Sequence, residues 1–190
     1  PEDVGEYYML ENYEAYSWTC HGRYPTNTPG WWGGAHPFAL LDTTVVHNGE
    51  ISSYDANRRY IEMFGYKCNL QTDTEVITYI LDYLTRIQGL TLEETAGVIA
   101  APFWSTIRGK AASEAERLTY LRTVFSSLLI TGPFSIVLGF NGGLMALNDR
   151  LKLRSMVTAE KDDLVFIASE EAAIRAMELV IPEQKGKDEW

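Results

Sequence analysis

Between Gly132-Pro133 and Ser169 the sequence holds four strand-like runs: residues 134–140, 144–148, 155–159 and 164–168. The connections between them are six residues or fewer. A parallel pairing needs a crossover of about a dozen residues, so these runs form an antiparallel meander. Ahead of it lies a block of helical patterns. Ser52 or Ser53 can cap a helix to about Phe64, closed by Gly65. Thr72 or Asp73 can cap a second, in which Val76, Ile77, Ile80, Leu81 and Leu84 recur at helical spacing up to Gly89. Thr91-Leu92-Glu93-Glu94 opens a third, ended by Pro102, and Ser113-Glu114-Ala115-Glu116 a fourth, reaching about Leu129. Earlier still, residues 16–24, 38–41 and 43–47 read as strands. After the meander, Ser169 can cap a last helix to about Leu179. Segregated β, α and β blocks predict an α+β fold with antiparallel sheets. The nearly all-apolar runs Ile136-Val137-Leu138 and Leu164-Val165-Phe166-Ile167 predict strands covered on both faces, as where two sheets stack between helical layers.

The 190 residues suit one domain, residues 1–182, with a charged tail at 183–190. A hydrophobic fraction of 46% is ample for a core. Sixteen basic against 26 acidic residues argue against binding a nucleic-acid backbone. No apolar run approaches the roughly 20 residues that span a bilayer, and the opening Pro1-Glu2-Asp3 does not resemble a signal peptide. Cys20 and Cys68 therefore read as reduced thiols of a cytoplasmic protein, and with three histidines they offer no structural metal site.

Three loop clusters can carry chemistry. In His21-Gly22-Arg23-Tyr24-Pro25-Thr26, the Arg23 fork suits a carboxylate and Thr26 adds a hydroxyl; a structural ion pair is the plainer role. In His47-Asn48-Gly49-Glu50-Ile51, the Asn48 amide and the Gly49 N–H can form an oxyanion hole, or the pair can simply make a hairpin turn. His47 reads as a packed or hydrogen-bonding residue rather than a base. In Thr72-Asp73-Thr74-Glu75, Asp73 can hold an ammonium, while Thr72 and Glu75 have the spacing of a capping box. Taken together, a carboxylate clamp, an ammonium partner and an oxyanion hole describe a site for an amino acid with an amide side chain, such as glutamine.

In order and spacing, His-x-Arg-Tyr-x-Thr, His-Asn-Gly-x-Ile and Thr-Asp-Thr-Glu resemble the class II glutamine amidotransferases, which are N-terminal-nucleophile hydrolases. The long segment from Arg23 to Phe38, with Trp31-Trp32-Gly33-Gly34, is similar to the amidotransferase domain of archaeal-type glutamate synthase. So are the stretches 142–150 and 168–172. The resemblance covers about residues 17–180. It implies a four-layer αββα sandwich, here without its N-terminal portion. It also implies Arg23 and Thr26 at the glutamine α-carboxylate, Asp73 at the α-ammonium, and Asn48 and Gly49 as the oxyanion hole. The implied reaction is glutamine hydrolysis through a thioester, with ammonia passed to a synthase partner.

Two departures stand out. Relatives read Gly-His-Thr-Arg where this chain has Cys20-His21-Gly22-Arg23. The family's nucleophile is an N-terminal Cys, whereas this chain starts with Pro1, and Cys20 and Cys68 are internal. A separate N-terminal segment carrying that Cys is therefore expected. The chain has no Gly-rich phosphate loop and no cysteine cluster, so no cofactor is expected in it. FMN and iron–sulfur clusters are expected in the synthase partner. Two alternatives stay open: the amidotransferase half of a sibling such as N-methylglutamate synthase, and a catalytically inactive subunit that binds glutamine or scaffolds a partner.

Overall fold

The computed structural model describes residues 2–24 and 30–180, the last three by backbone alone. Thr26 and the tail at 183–190 lie outside the described residues. A short helix α1 (Glu2–Tyr7) opens the chain, and a 3-10 turn spans Trp32–Gly34. Strands β1 (Phe38–Leu40) and β2 (Thr43–Gly49) form a hairpin whose turn places Leu41 at φ 53°. Five helices follow: α2 (Tyr54–Glu62), α3 (Asp73–Asp82), α4 (Leu92–Ile99), α5 (Trp104–Arg108) and α6 (Ala112–Val124). Strands β3 (Phe134–Phe140), β4 (Gly143–Asn148), β5 (Val157–Lys161) and β6 (Leu164–Ala168) come next, before α7 (Glu171–Val180); they make two hairpins rather than one continuous meander, since β4 does not pair with β5.

The result is a mixed α/β fold with two antiparallel sheets. One has the order β1-β2-β3-β4, and the other pairs β5 with β6. The first sheet packs against α3 through β1 and β2, and α7 packs against β6. The core lies between the first sheet and the helical block. Val45, Phe134 and Ile136 from the strands meet Ile61, Val76, Ile77 and Ile80 from α2 and α3, all fully buried. Each such side chain contributes roughly 1.5–3 kcal/mol by leaving water.

Period-2 alternation decides which side chains of β2 face this core. Val45 and His47 are buried, at 0% and 4% exposure, and His47 reaches Thr74 on α3. Asn48, one residue on, projects from the opposite face, where it meets Ser169 at the end of β6.

Several expectations need correction. Residues 16–24 form no strand: Thr19 bonds Thr44 at 3.0 Å and lies over Gly139, so this segment crosses the sheet face instead of pairing along an edge. β6 is not covered on both faces, since Leu164 and Val165 are 48% and 59% exposed. β3 is, with five of its seven residues buried. The helix opened by Ser113-Glu114 starts at Ala112 but stops at Val124 instead of about Leu129, followed by a 3-10 turn at Ser126–Leu128. α3 ends earlier than its apolar spacing suggests and continues as a π-helical turn through Ile87.

Candidate functional site

The C-terminal end of β2, the N-terminus of α3 and the segment after Cys20 converge on one cavity of about 400 Å³. Its lining includes Arg23, Asn48, Gly49 and Asp73, which the sequence singled out in three separate clusters. Tyr54, Gln71, Arg154 and Glu170 also line it.

Asn48-Gly49 is not a hairpin turn. Both residues belong to β2, with Asn48 opposite Ser135 and Gly49 opposite Phe134 in the ladder with β3. Gly49 adopts φ 147°, and a Cβ there would stand 2.1 Å from the Pro133 carbonyl oxygen, so only glycine fits. Nor is Thr72-Asp73-Thr74-Glu75 a capping box. The Thr72 side chain makes no cap bond. Glu75, only 2% exposed, turns back instead and accepts the N–H groups of Asn69 at 3.0 Å and Leu70 at 2.8 Å. Those two bonds hold the loop that leads into Asp73. A capping box does form at α4, between Thr91 and Glu94.

Asp73 sits at the first turn of α3, where the helix dipole favours an anion. Its Oδ2 accepts the Ile51 N–H at 3.3 Å, and Oδ1 lies 3.4 Å from both His47 Nδ1 and the Thr74 hydroxyl. Burial alone would raise its pKa. Hydrogen bonding and charge from His47, with the N–H groups of Ile51 and Thr74, outweigh burial and hold the carboxyl below its usual range. Asp73 is therefore an anion at neutral pH. Because a carboxylate can only accept, the His47 proton on this side resides on Nδ1.

Thr74 is a hub that the sequence reading missed. Its hydroxyl is 2.6 Å from His36 Nε2 and 3.3 Å from His47 Nδ1. His36 in turn stacks on His21, with ring centroids 4.2 Å apart. Burial first, then the nearby His21, His47 and Arg23, push the His36 pKa down to about 3. Burial also lowers His21. Both rings are neutral at physiological pH and present an uncharged wall beside Arg23. The only signal in the sequence was the presence of His21 and His36 on either side of the Arg23–Gly34 segment.

Arg23 is placed by glycine. A Cβ on Gly34 would stand 2.9 Å from the Arg23 guanidinium carbon, so the bare backbone at Gly34 makes room for that head group. The cysteines fall elsewhere: neither Cys20 nor Cys68 lines the cavity, both are free, and burial raises the Cys68 thiol to about 12. Among the described residues no group of three or more His, Cys, Asp or Glu side chains could hold a metal ion. No helix among them is long and apolar enough to cross a membrane.

Residues 1–187 match the family described as glutamine amidotransferases class-II, and the chain belongs to that family. An uncharacterized protein of Archaeoglobus fulgidus is 53% identical over 178 residues, covering 93% of this chain and 47% of that relative. The glutamine–fructose-6-phosphate aminotransferase (isomerizing) of Aliivibrio fischeri is 29% identical, covering 83% of this chain and 24% of the relative. The chain thus spans about half the length of the first relative and a quarter of the second. Among solved structures, glutamine phosphoribosylpyrophosphate amidotransferase from B. subtilis shares the fold, with a TM-score of 0.54 at 16% identity over 82% of this chain and 28% of that one.

Proposed function

We propose that this chain is the glutamine-binding and hydrolysing part of an amidotransferase, and that the ammonia it releases passes to a synthase partner. The observation that carries this reading is the meeting of Arg23, Asp73 and the Asn48-Gly49 pair around one cavity. A glutamine in it has its α-carboxylate at Arg23 and its α-ammonium at the ionised Asp73. Thr26 joins Arg23 in this assignment. The side-chain carbonyl then extends toward the Asn48 amide and the Gly49 N–H.

On this reading a cysteine thiolate from outside these 190 residues attacks the amide carbon. Negative charge develops on the carbonyl oxygen, which Asn48 and Gly49 stabilise by hydrogen bonding. The C–N bond breaks as the nitrogen takes up a proton and leaves as ammonia. Water then cleaves the thioester to give glutamate and return the thiol. We assign the synthase partner to glutamate synthase, because the Arg23–Phe38 segment with its paired Trp and Gly residues is similar to that enzyme's amidotransferase domain. FMN and iron–sulfur chemistry belongs to that cytoplasmic partner.

The test is to incubate the native protein with glutamine, follow glutamate and ammonia, and weigh the intact protein after exposure to an electrophilic glutamine analogue. Hydrolysis with one adduct on a cysteine is the expected result. Glutamine binding without hydrolysis or adduct would select the inactive subunit, and the absence of binding would overturn the proposal. Incorporation of methylamine, with its own nitrogen, into N-methylglutamate, in place of ammonia into glutamate, would select the sibling synthase.

A further inference from the structure

We infer that Ser169 is a positioning residue for the oxyanion hole, an assignment that rests on the glutaminase reading above. The two ends of a primary amide are nearly the same size, so Asn48 can rotate to present either its N–H groups or its oxygen to the cavity. Only the first orientation stabilises an oxyanion. The second places an oxygen dipole against the developing charge.

Ser169 anchors the amide in the first orientation. Asn48 Nδ2 donates to Ser169 Oγ at 2.9 Å, across 121 positions of sequence. A hydroxyl can serve either end of an amide, so what this bond fixes is the place and plane of the amide, with the nitrogen on the Ser169 side as the structure has it. With one N–H committed to Ser169, the geometry of the planar NH₂ group fixes the direction of the other. Asn48 lines the cavity, and that second N–H is the one left for the substrate.

The backbone of Ser169 is tied in turn to the preceding loop. Its carbonyl accepts the Ser155 hydroxyl at 2.6 Å. Ser155 follows a loop gathered around the carboxylate of Asp149, which is 4% exposed and accepts the N–H groups of Leu151, Leu153 and Arg154. The same carboxylate accepts the Phe134 N–H at the start of β3, one residue before the Ser135 that pairs with Asn48. The second sheet and the first are thus tied together on either side of the catalytic amide. The cap expected of Ser169 at α7 does not fall to it, since α7 starts at Glu171 and Glu170 is the residue before it.

The test is a double-mutant cycle in the native protein, with steady-state glutamine hydrolysis as the readout. Asn48→Ala lowers kcat about 10²–10³-fold, the loss typical of one oxyanion donor. Ser169→Ala keeps the donor but frees its orientation. It should lower kcat by about 10-fold with KM unchanged, the worth of one ordinary hydrogen bond. Ser169→Thr, which keeps the hydroxyl, restores most of the rate. In the Asn48→Ala background, Ser169→Ala has no further effect, because nothing remains to be oriented. If Ser169→Ala does not accumulate as folded protein, Ser169→Cys, similar in size but a poor acceptor, takes its place in the cycle. Additive losses, a change in KM alone, or a Ser169→Ala rate within twofold of the parent would overturn the inference while leaving the glutaminase reading intact. A parent with no glutamine hydrolysis would overturn both.

Discussion

His47 Nδ1 lies 3.4 Å from Asp73 Oδ1, joining the C-terminal end of a strand to the first turn of a helix 26 residues later in the chain. The His47 side chain is 2% exposed and that of Asp73 19%, so the carboxylate is held from its buried side and open on the other. That arrangement suits a group that must stay charged while presenting one face to a ligand.

Asp73→Ala removes both the charge and the acceptor for the Ile51 N–H. A charge-assisted hydrogen bond of about 1.5–3 kcal/mol corresponds to roughly a 10–100-fold rise in KM for glutamine. Glutamine kinetics equal to those of the parent would remove Asp73 from the site.

Gly34→Ala acts through Arg23. The new Cβ would stand 2.9 Å from the guanidinium carbon, and a flexible side chain yields more readily than backbone. The variant should fold with nearly parental stability yet bind glutamine more weakly, as seen by isothermal titration. A variant with lowered thermal stability and unchanged affinity would show that Arg23 does not hold the ligand.

Gly49→Ala is a contrasting case. At φ 147°, with the Pro133 carbonyl 2.1 Å from the added carbon, the backbone itself must shift. The cost should be about 2 kcal/mol or more in a denaturant titration. A loss below about 0.5 kcal/mol would contradict the close approach of β2 to the Gly132-Pro133 turn.

Glu75→Ala should destabilise the protein by about 1–3 kcal/mol, because the N–H groups of Asn69 and Leu70 lose their acceptor. Glu75→Gln keeps one acceptor oxygen and should cost less. Equal stabilities in urea for both variants and the parent would show that the 69–72 loop does not depend on this residue.

Stability should fall as the pH drops from about 6.5 toward 3. Over that window the unfolded chain protonates His36, whereas the folded chain, with His36 lowered to about 3, does not. His21 is lowered too and acts in the same direction. The groups facing His36 are His21, His47 and Arg23, which disfavour its charge, and Asp73, which favours it. Asp73, itself lowered, adds a further loss below its ordinary value of 3.8. Denaturant midpoints measured across this range should show a shallower slope for His36→Gln. A slope identical to the parent's would place the acid sensitivity elsewhere.

Much of the architecture was legible because it depends on local rules. The 134–140 and 164–168 runs are strands as read, the 38–47 region is a hairpin, and the apolar spacing from Val76 to Leu84 marks the buried face of α3. Where reading failed, a distant partner competed with a local one. Residues 16–24 have strand composition but lie across the sheet face at Thr44 and Gly139. Glu75 has the spacing of a capping box but finds two backbone donors in the preceding loop. Ser169 reads as a helix cap, but α7 starts two residues later and the Ser169 hydroxyl accepts from Asn48.

The same division applies to the site. Residue types and short spacings marked Arg23, Asn48, Gly49 and Asp73 as candidates, each with a plainer structural role beside it, and it was the three motifs together, in the order of a known family, that singled them out. Only the tertiary structure decided that these groups share one cavity, that His36 and Thr74 stand behind Asp73, and that Ser169 reaches Asn48. Spacing along the chain specifies contacts within a turn or a ladder. Contacts between residues 38 or 121 positions apart exist only once the sheets and helices have packed, when burial makes each polar group find a partner.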